Sequence, residues 1–361
     1  MTHEGYYFNP VIAGFLPDTA AACLDHYQVE LLWPVEQSGG EYYLSAQDTE
    51  RFLTMLPQQK AMDALPGGTD AERCSIQAVF GALGCRMEMT GDVLQVLLSQ
   101  EGEFLPAEQV KQGILQKKGA QGDYFGTYWH TPMERYAPYR VYLPASYRPE
   151  GKNRLLMCLH GGGGSPDTPF HNSQDQVKDY AERDGYILIA PDGSTNNSTY
   201  GCAVPPNGML GARSDAKDPA NPENLSEEEL RSVQMGELGL DQVLALARRD
   251  YAVDEANLYL MGNSMGGMGT LYYASRHPGL FRKISPQGAI PDMQFFDCSG
   301  LRQQPTFFVG GDMDSHGVQY LREGCRVLKE HDVPVIYREV SGGTHSLAWV
   351  DVLDEIFEFF K

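Results

Sequence analysis

Residues 257–278 read NLYLMGNSMGGMGTLYYASRHP. Asn257 to Met261 is a short apolar run, Gly262-Asn263-Ser264-Met265-Gly266 fits the pattern G-x-S-x-G, and the residues that follow are helix-like. A strand that becomes a helix within so few residues must bend sharply, and the residue at the apex takes a strained backbone conformation. A side chain at Gly262 or Gly266 would collide with the neighbouring strand or helix, which is the steric reason for glycine at both ends of the pattern. Ser264 is thereby lifted clear of the sheet. The helix after it aims its first N–H groups, and the positive end of its dipole, at the space where negative charge would form.

The same strand-and-helix alternation extends outward from this turn. From about Tyr139 onward short β-rich runs alternate with longer helix-like stretches, the pattern of a parallel sheet with crossover helices. Tyr139 to Leu143 alternates and ends at Pro144, Leu155 to Leu159 stops at His160-Gly161-Gly162-Gly163-Gly164, and Tyr186 to Ala190 stops at Pro191-Asp192-Gly193. The last two are continuous apolar runs, as strands buried on both faces require. Gly201 to Asn224 is rich in Pro, Asn and Asp without a period, and reads as a loop over the sheet edge. Ser226-Glu227-Glu228-Glu229 matches a capping box, so a helix is expected from there to about Arg249. Leu230, Val233, Leu240, Val243, Leu244 and Ala247 fall near the face it would turn to the sheet. Thr306 to Val309 and Val333 to Tyr337 read as later strands, and Val350 to Phe360 as a closing amphipathic helix.

The first third is less informative. Ala46 to Leu56 and Ala71 to Leu83 are candidate helices among breakers such as Pro66-Gly67-Gly68, with no motif and no internal repeat. The chain is therefore divided into an N-terminal accessory region, 1–120, and a domain carrying the site, 121–361. The accessory region reads equally as a dimerisation surface, a lid or a small packing domain, which leaves homo-oligomerisation open.

A formal charge of -20 repels phosphate backbones and anionic headgroups, so neither nucleic acid nor a membrane is expected as a partner. The seven cysteines form no CxxC pair and are odd in number, which argues against a complete disulfide framework and fits a reducing compartment. The start, MTHEGYYFNP, lacks a basic stretch followed by an apolar run, and no segment is apolar for long enough to cross a bilayer. A cytoplasmic location is the expectation.

A serine hydroxyl is a weak nucleophile until a base takes its proton. His345, in Ser341-Gly342-Gly343-Thr344-His345-Ser346 between the last strand and the final helix, is placed to be that base. The imidazole needs a carboxylate to hold its tautomer. Asp314, in Gly311-Asp312-Met313-Asp314 after the Thr306 strand, is preferred, with Asp312 competing from two residues away. Ser264, Asp314 and His345 then follow the chain order nucleophile, acid, base. Asp312, Asp314 and His316 also spell a D-x-D-x-H metal pattern, but no fourth ligand is evident and no metal is expected. A tetrahedral oxyanion calls for two N–H donors. Met265, next after the nucleophile, and Gly162, in the glycine run after Leu159, are the candidates for this oxyanion hole. The run lacks the Lys-Ser/Thr of a phosphate-binding loop.

The motifs LHGGGG, PDGS, YLMGNSMGGMGTLYYASRHPGLF, GGDMDSHG and GGTHS together resemble bacterial esterases of the polyhydroxybutyrate-depolymerase and feruloyl-esterase type, and related prolyl-oligopeptidase-like peptidases. The resemblance covers roughly Tyr139 to Lys361. It implies an α/β-hydrolase fold with a mostly parallel twisted sheet flanked by helices, no cofactor, and a triad of Ser264, Asp314 and His345.

The expected chemistry is hydrolysis of a small carboxylic ester through an acyl-enzyme, with a short peptide as the alternative substrate and a non-catalytic binding role as a further alternative. Tyr124, Phe125, Tyr128 and Trp129 either line a pocket for an aryl acyl group or pack an early strand.

Overall fold

Uninterrupted apolar runs with no room for charge settle as strands covered on both faces, and in this chain they assemble side by side. The computed structural model describes residues 6–11, 27–29, 33–45, 49, 73–82, 86–90, 93–97, 104, 106, 121–130, 135–194, 198–202, 227–289 and 298–361. The chain divides into two compact units, Met1–Trp129 and His130–Lys361.

In the first unit β1 (Tyr6–Val11), β3 (Trp33–Ser38), β4 (Glu41–Ser45), β5 (Arg73–Ser75), β6 (Arg86–Thr90) and β7 (Val93–Leu97) form a six-stranded sheet in the order β5-β4-β3-β1-β7-β6. A short β2 (Tyr27–Val29) pairs in parallel with β8 (Gly122–His130). Of the helix expected over Ala71 to Leu83, the described residues form α1 (Ile76–Ala82), while Arg73–Ser75 is drawn into pairing with β4. Ile76, Val79 and Phe80 supply the buried side of α1. The other expected helix, Ala46 to Leu56, lies outside the described residues apart from Thr49. Tyr124, Phe125, Tyr128 and Trp129 all fall in β8; Tyr128 is buried, and the other three side chains lie outside those described.

The second unit carries β9 (Arg135–Leu143), β10 (Asn153–Leu159), β11 (Tyr186–Pro191), β12 (Val253–Asn263), β13 (Lys283–Gln287), β14 (Thr306–Gly311) and β15 (Val335–Val340). They lie in the order β15-β14-β13-β12-β10-β11-β9. Every neighbouring pair is parallel except β9 against β11. Crossovers between parallel strands usually run through helices, and the helices here are α2 (Thr168–Asn172), α3 (Gln176–Asp184), α4 (Glu227–Asp250), α5 (Met265–Arg276) and α6 (Val318–Glu330), followed by the closing α7 (Leu353–Phe360).

Helix α4 spans almost the expected range and buries Leu240, Val243, Leu244 and Ala247; Leu230 and Val233 fall where side chains are not described, and Ser226 lies outside the described residues. The loop expected over Gly201 to Asn224 is described only at Gly201 and Cys202. Helix α7 turns Leu353, Ile356, Phe357 and Phe360 inward at helical spacing. Phe357 meets Tyr186 with ring centroids 5.6 Å apart, and Phe360 meets Tyr259 at 5.3 Å. Each such side chain contributes roughly 1.5–3 kcal/mol of burial, so α7 fixes the face of the sheet under β10, β11 and β12.

Arg140, on β9, is 1% exposed. Its guanidinium is paired with Asp167, lies 3.7 Å from Asp175, and stacks over Phe170 with its central carbon 3.8 Å from the ring centroid. Asp167 follows the glycine run by three residues, so this buried cation ties the far end of that loop to the sheet. No helix among the described residues is long and apolar enough to cross a membrane.

Candidate active site

Strand β12 delivers Ser264 to the C-terminal edge of the sheet. The residue has φ 57° and ψ −116°, a positive-φ conformation outside the regions open to ordinary side chains. The strain is held by the close packing of the turn: a Cβ on Gly266 would overlap the carbonyl group of Leu159 on β10, and one on Gly262 would overlap the carbonyl of Gly266. The Ser264 N–H donates to the Gln287 carbonyl at 2.8 Å, which fastens the apex to the end of β13.

The loops after β14 and β15 bring the two partners. The His345 Nε2 lies 2.8 Å from Ser264 Oγ, and its Nδ1 lies 2.8 Å from Asp314 Oδ2. The Asp314 side chain is 1% exposed and that of His345 13%, so the carboxylate is sealed while the imidazole retains a window to solvent. Asp314 Oδ1 also accepts the His316 N–H at 2.8 Å. Burial alone would raise the Asp314 carboxyl. The hydrogen bonds from His345 and from the His316 N–H, with the charges of both rings, hold it below its ordinary value instead.

Asp312 is engaged elsewhere. Its Oδ1 accepts the Gly342 N–H at 2.7 Å and its Oδ2 the Ser341 hydroxyl at 3.2 Å. Asp312, Asp314 and His316 therefore do not converge as the D-x-D-x-H reading would require, and no cluster of three such groups occurs among the described residues.

Met265 opens α5, where its N–H has no acceptor within the helix. Gly162 is exposed in the loop after β10. Its neighbour Gly161 passes so close that a Cβ there would lie 3.4 Å from the Ser264 Cβ. The glycine run thus lies against the nucleophile turn at Gly161.

Residues 131–319, just over half of the chain, match the family model Esterase, described as "Putative esterase". The chain belongs to the Esterase family. Feruloyl esterase B of Neurospora crassa is 26% identical over 142 residues, 39% of this chain and 41% of that protein. The bifunctional acetylxylan esterase/xylanase XynS20E of Neocallimastix patriciarum is 25% identical over 175 residues, 48% of this chain and 21% of that protein. The matched part thus spans less than half the length of these curated relatives. An S-formylglutathione hydrolase structure from Agrobacterium tumefaciens matches with a TM-score of 0.52 at 16% identity, covering 67% of this chain and 95% of that one. The α/β-hydrolase fold and the likeness to feruloyl-type esterases expected from the motifs are both borne out.

Two side chains take places in this site that sequence reasoning does not assign to them. The His316 ring packs edge-on against His345, centroids 4.2 Å apart at 86°. Burial, and then the neighbouring charge of His345, push His316 below its ordinary value, against the opposing pull of Asp314. Gln287 is 2% exposed and its Nε2 has no hydrogen-bond partner among the described residues. It lines a narrow slot beside the turn, with Gly161, Thr168, Asn172, Asn263 and Trp349. Only His316 leaves a trace in the sequence, as a histidine two residues beyond a candidate acid.

Proposed function

We propose that this chain hydrolyses carboxylic esters through an acyl-enzyme on Ser264. The observation that carries the reading is the pair of 2.8 Å contacts on either side of one imidazole, to the Ser264 hydroxyl and to the Asp314 carboxylate. In the tautomer these contacts favour, the Nδ1–H donates to Asp314 and Nε2 is free to accept the serine proton. Attack of Ser264 Oγ on the acyl carbon forms a C–O bond and passes the proton to His345. Collapse of the tetrahedral intermediate breaks the bond to the alcohol, which leaves with that proton. Water then repeats the sequence: His345 takes its proton, the hydroxide oxygen bonds the acyl carbon, and Ser264 departs protonated.

Oxyanion stabilisation falls to the Met265 N–H and the Gly162 N–H, the first unpaired by its position and the second on the loop that lies against the turn. The scheme uses no group beyond the chain and water. The names of the two curated relatives point to feruloyl and acetyl esters as the first acyl groups to try.

The test is turnover of p-nitrophenyl acetate and methyl ferulate by the full chain and by Ser264→Ala. Loss of turnover in the variant, with an acyl adduct on Ser264 in the wild type by mass spectrometry, is the expected result. Undiminished hydrolysis by Ser264→Ala removes Ser264 from the mechanism.

A further inference from the structure

Asn263 precedes the nucleophile on β12, and its side chain reaches across the site. Its Nδ2 donates to the backbone carbonyl of His345 at 2.9 Å and lies 3.5 Å from the Gln287 carbonyl, the same oxygen that accepts the Ser264 N–H at 2.8 Å. The carboxamide and the imidazole share the space over Gly288, where a Cβ would lie 3.1 Å from Asn263 Nδ2 and 3.3 Å from His345 Nδ1.

Within the loop that carries His345, the Ala348 N–H donates to the Thr344 carbonyl at 3.0 Å and the Trp349 Nε1–H to the Ser346 carbonyl at 2.9 Å, and further hydrogen bonds tie its base. The Gly342 N–H donates to Asp312, the Met313 N–H donates to the Gly343 carbonyl, and the Asp312 N–H donates to the Val340 carbonyl. Asp314 holds the ring of His345 and His316 packs on it, but both belong to the loop after β14. Among the hydrogen bonds of the described residues, the one from Asn263 joins the backbone of the base directly to the turn that carries the nucleophile.

We infer that Asn263 is a positioning residue: it sets the distance between Ser264 Oγ and His345 Nε2 by clamping the backbone of the base to the nucleophile turn. The inference rests on the proposed ester hydrolysis. Proton transfer between the two groups depends steeply on their separation, and a displacement of about 1 Å can cost on the order of a hundredfold in rate. The clamp acts on the separation of the two reacting groups, so its loss falls on kcat more than on KM.

Asn263→Asp tests the clamp with almost no change of volume. It replaces the donor facing the His345 carbonyl by an acceptor, and it sets a negative charge beside an imidazole already flanked by Asp314 and His316. A carboxylate there favours the protonated ring, so the acid limb of the pH profile of kcat/KM moves to higher pH. Asn263→Ala removes the donor without adding charge and leaves that limb in place. Both variants are expected to lose about ten- to hundredfold in kcat on p-nitrophenyl acetate, with KM within about twofold of wild type. Circular dichroism at the assay temperature guards against loss of fold, and Asn263→Ser replaces either variant that fails it. If wild-type enzyme neither turns over esters nor accepts a fluorophosphonate on Ser264, the proposed function fails. If wild type is active and labelled while the folded variants match it in kcat and in the acid limb, the clamp is refuted and the function stands.

Discussion

Asp312 accepts the Gly342 N–H at 2.7 Å, on the loop that three residues later presents His345. The two acids of Gly311-Asp312-Met313-Asp314 therefore divide the work: Asp312 shapes the loop, and Asp314 meets the imidazole. Asp314→Asn should lower kcat by about 10⁴-fold, because an amide in that place favours the wrong tautomer of His345. Asp312→Asn keeps an oxygen for Gly342 and should stay within about tenfold of wild type. Steady-state kinetics on one ester decides between them; equal losses would contradict the division.

Gly266 has no room to grow. A methyl group there meets the backbone of β10, which cannot swing aside as a flexible side chain would. Gly266→Ala should destabilise the second unit by about 3 kcal/mol or more. Urea unfolding followed by tryptophan fluorescence measures the change, and a variant as stable as wild type would show that the turn is looser than its geometry implies.

The Gln287 amide runs the other way. Burying an amide without a partner costs about 1–3 kcal/mol, and Nε2 of Gln287 has none among the described residues. Gln287→Met, similar in shape and free of that donor, should raise the melting temperature. A lower value would mean that the amide is satisfied in solution by something bound in the slot.

Acid should erode the stability that Asp314 provides. Its carboxyl is held below the ordinary value, so in the folded chain it stays ionised to lower pH than in the unfolded one. That contribution is complete above the unfolded value, about 3.9, and disappears as pH falls through the folded value. The stability gap between wild type and Asp314→Asn should therefore narrow on going from about pH 6 to about pH 3. Denaturant titrations across that range test it, and a gap independent of pH would assign the stabilisation to packing.

Much of the site was legible because the turn imposes its own spelling. Glycines two residues on either side of Ser264, an apolar run before them and a helix after them leave few other conformations, and His345 and Asp314 follow from the ends of later strands. Strand limits were less legible. Strand β12 begins at Val253, four residues before the apolar run, because Asp254 and Glu255 lie outside the buried part of the sheet and carry no hydrophobic signal. The last strand is Val335–Val340 where Val333 to Tyr337 was expected, since pairing with β14 from Thr306 to Gly311 sets the register. The closing helix begins at Leu353, with Val350–Val352 wound as a tighter 3₁₀ turn before it. Asn263 and Gln287 could not be singled out. Their importance comes from which carbonyl or slot they face once β12, β13 and the loop after β15 are side by side, a relation that no local spacing encodes.

The place of β15 in the sheet has a thermal consequence. Among the described strands it has a neighbour on one side only, β14, whereas β12, which carries the serine, is flanked by β10 and β13. Marginal strands fray before central ones. Warming should thus detach the proton acceptor while the hydroxyl is still firmly mounted, so that turnover fades, reversibly on cooling, several degrees before the molecule melts.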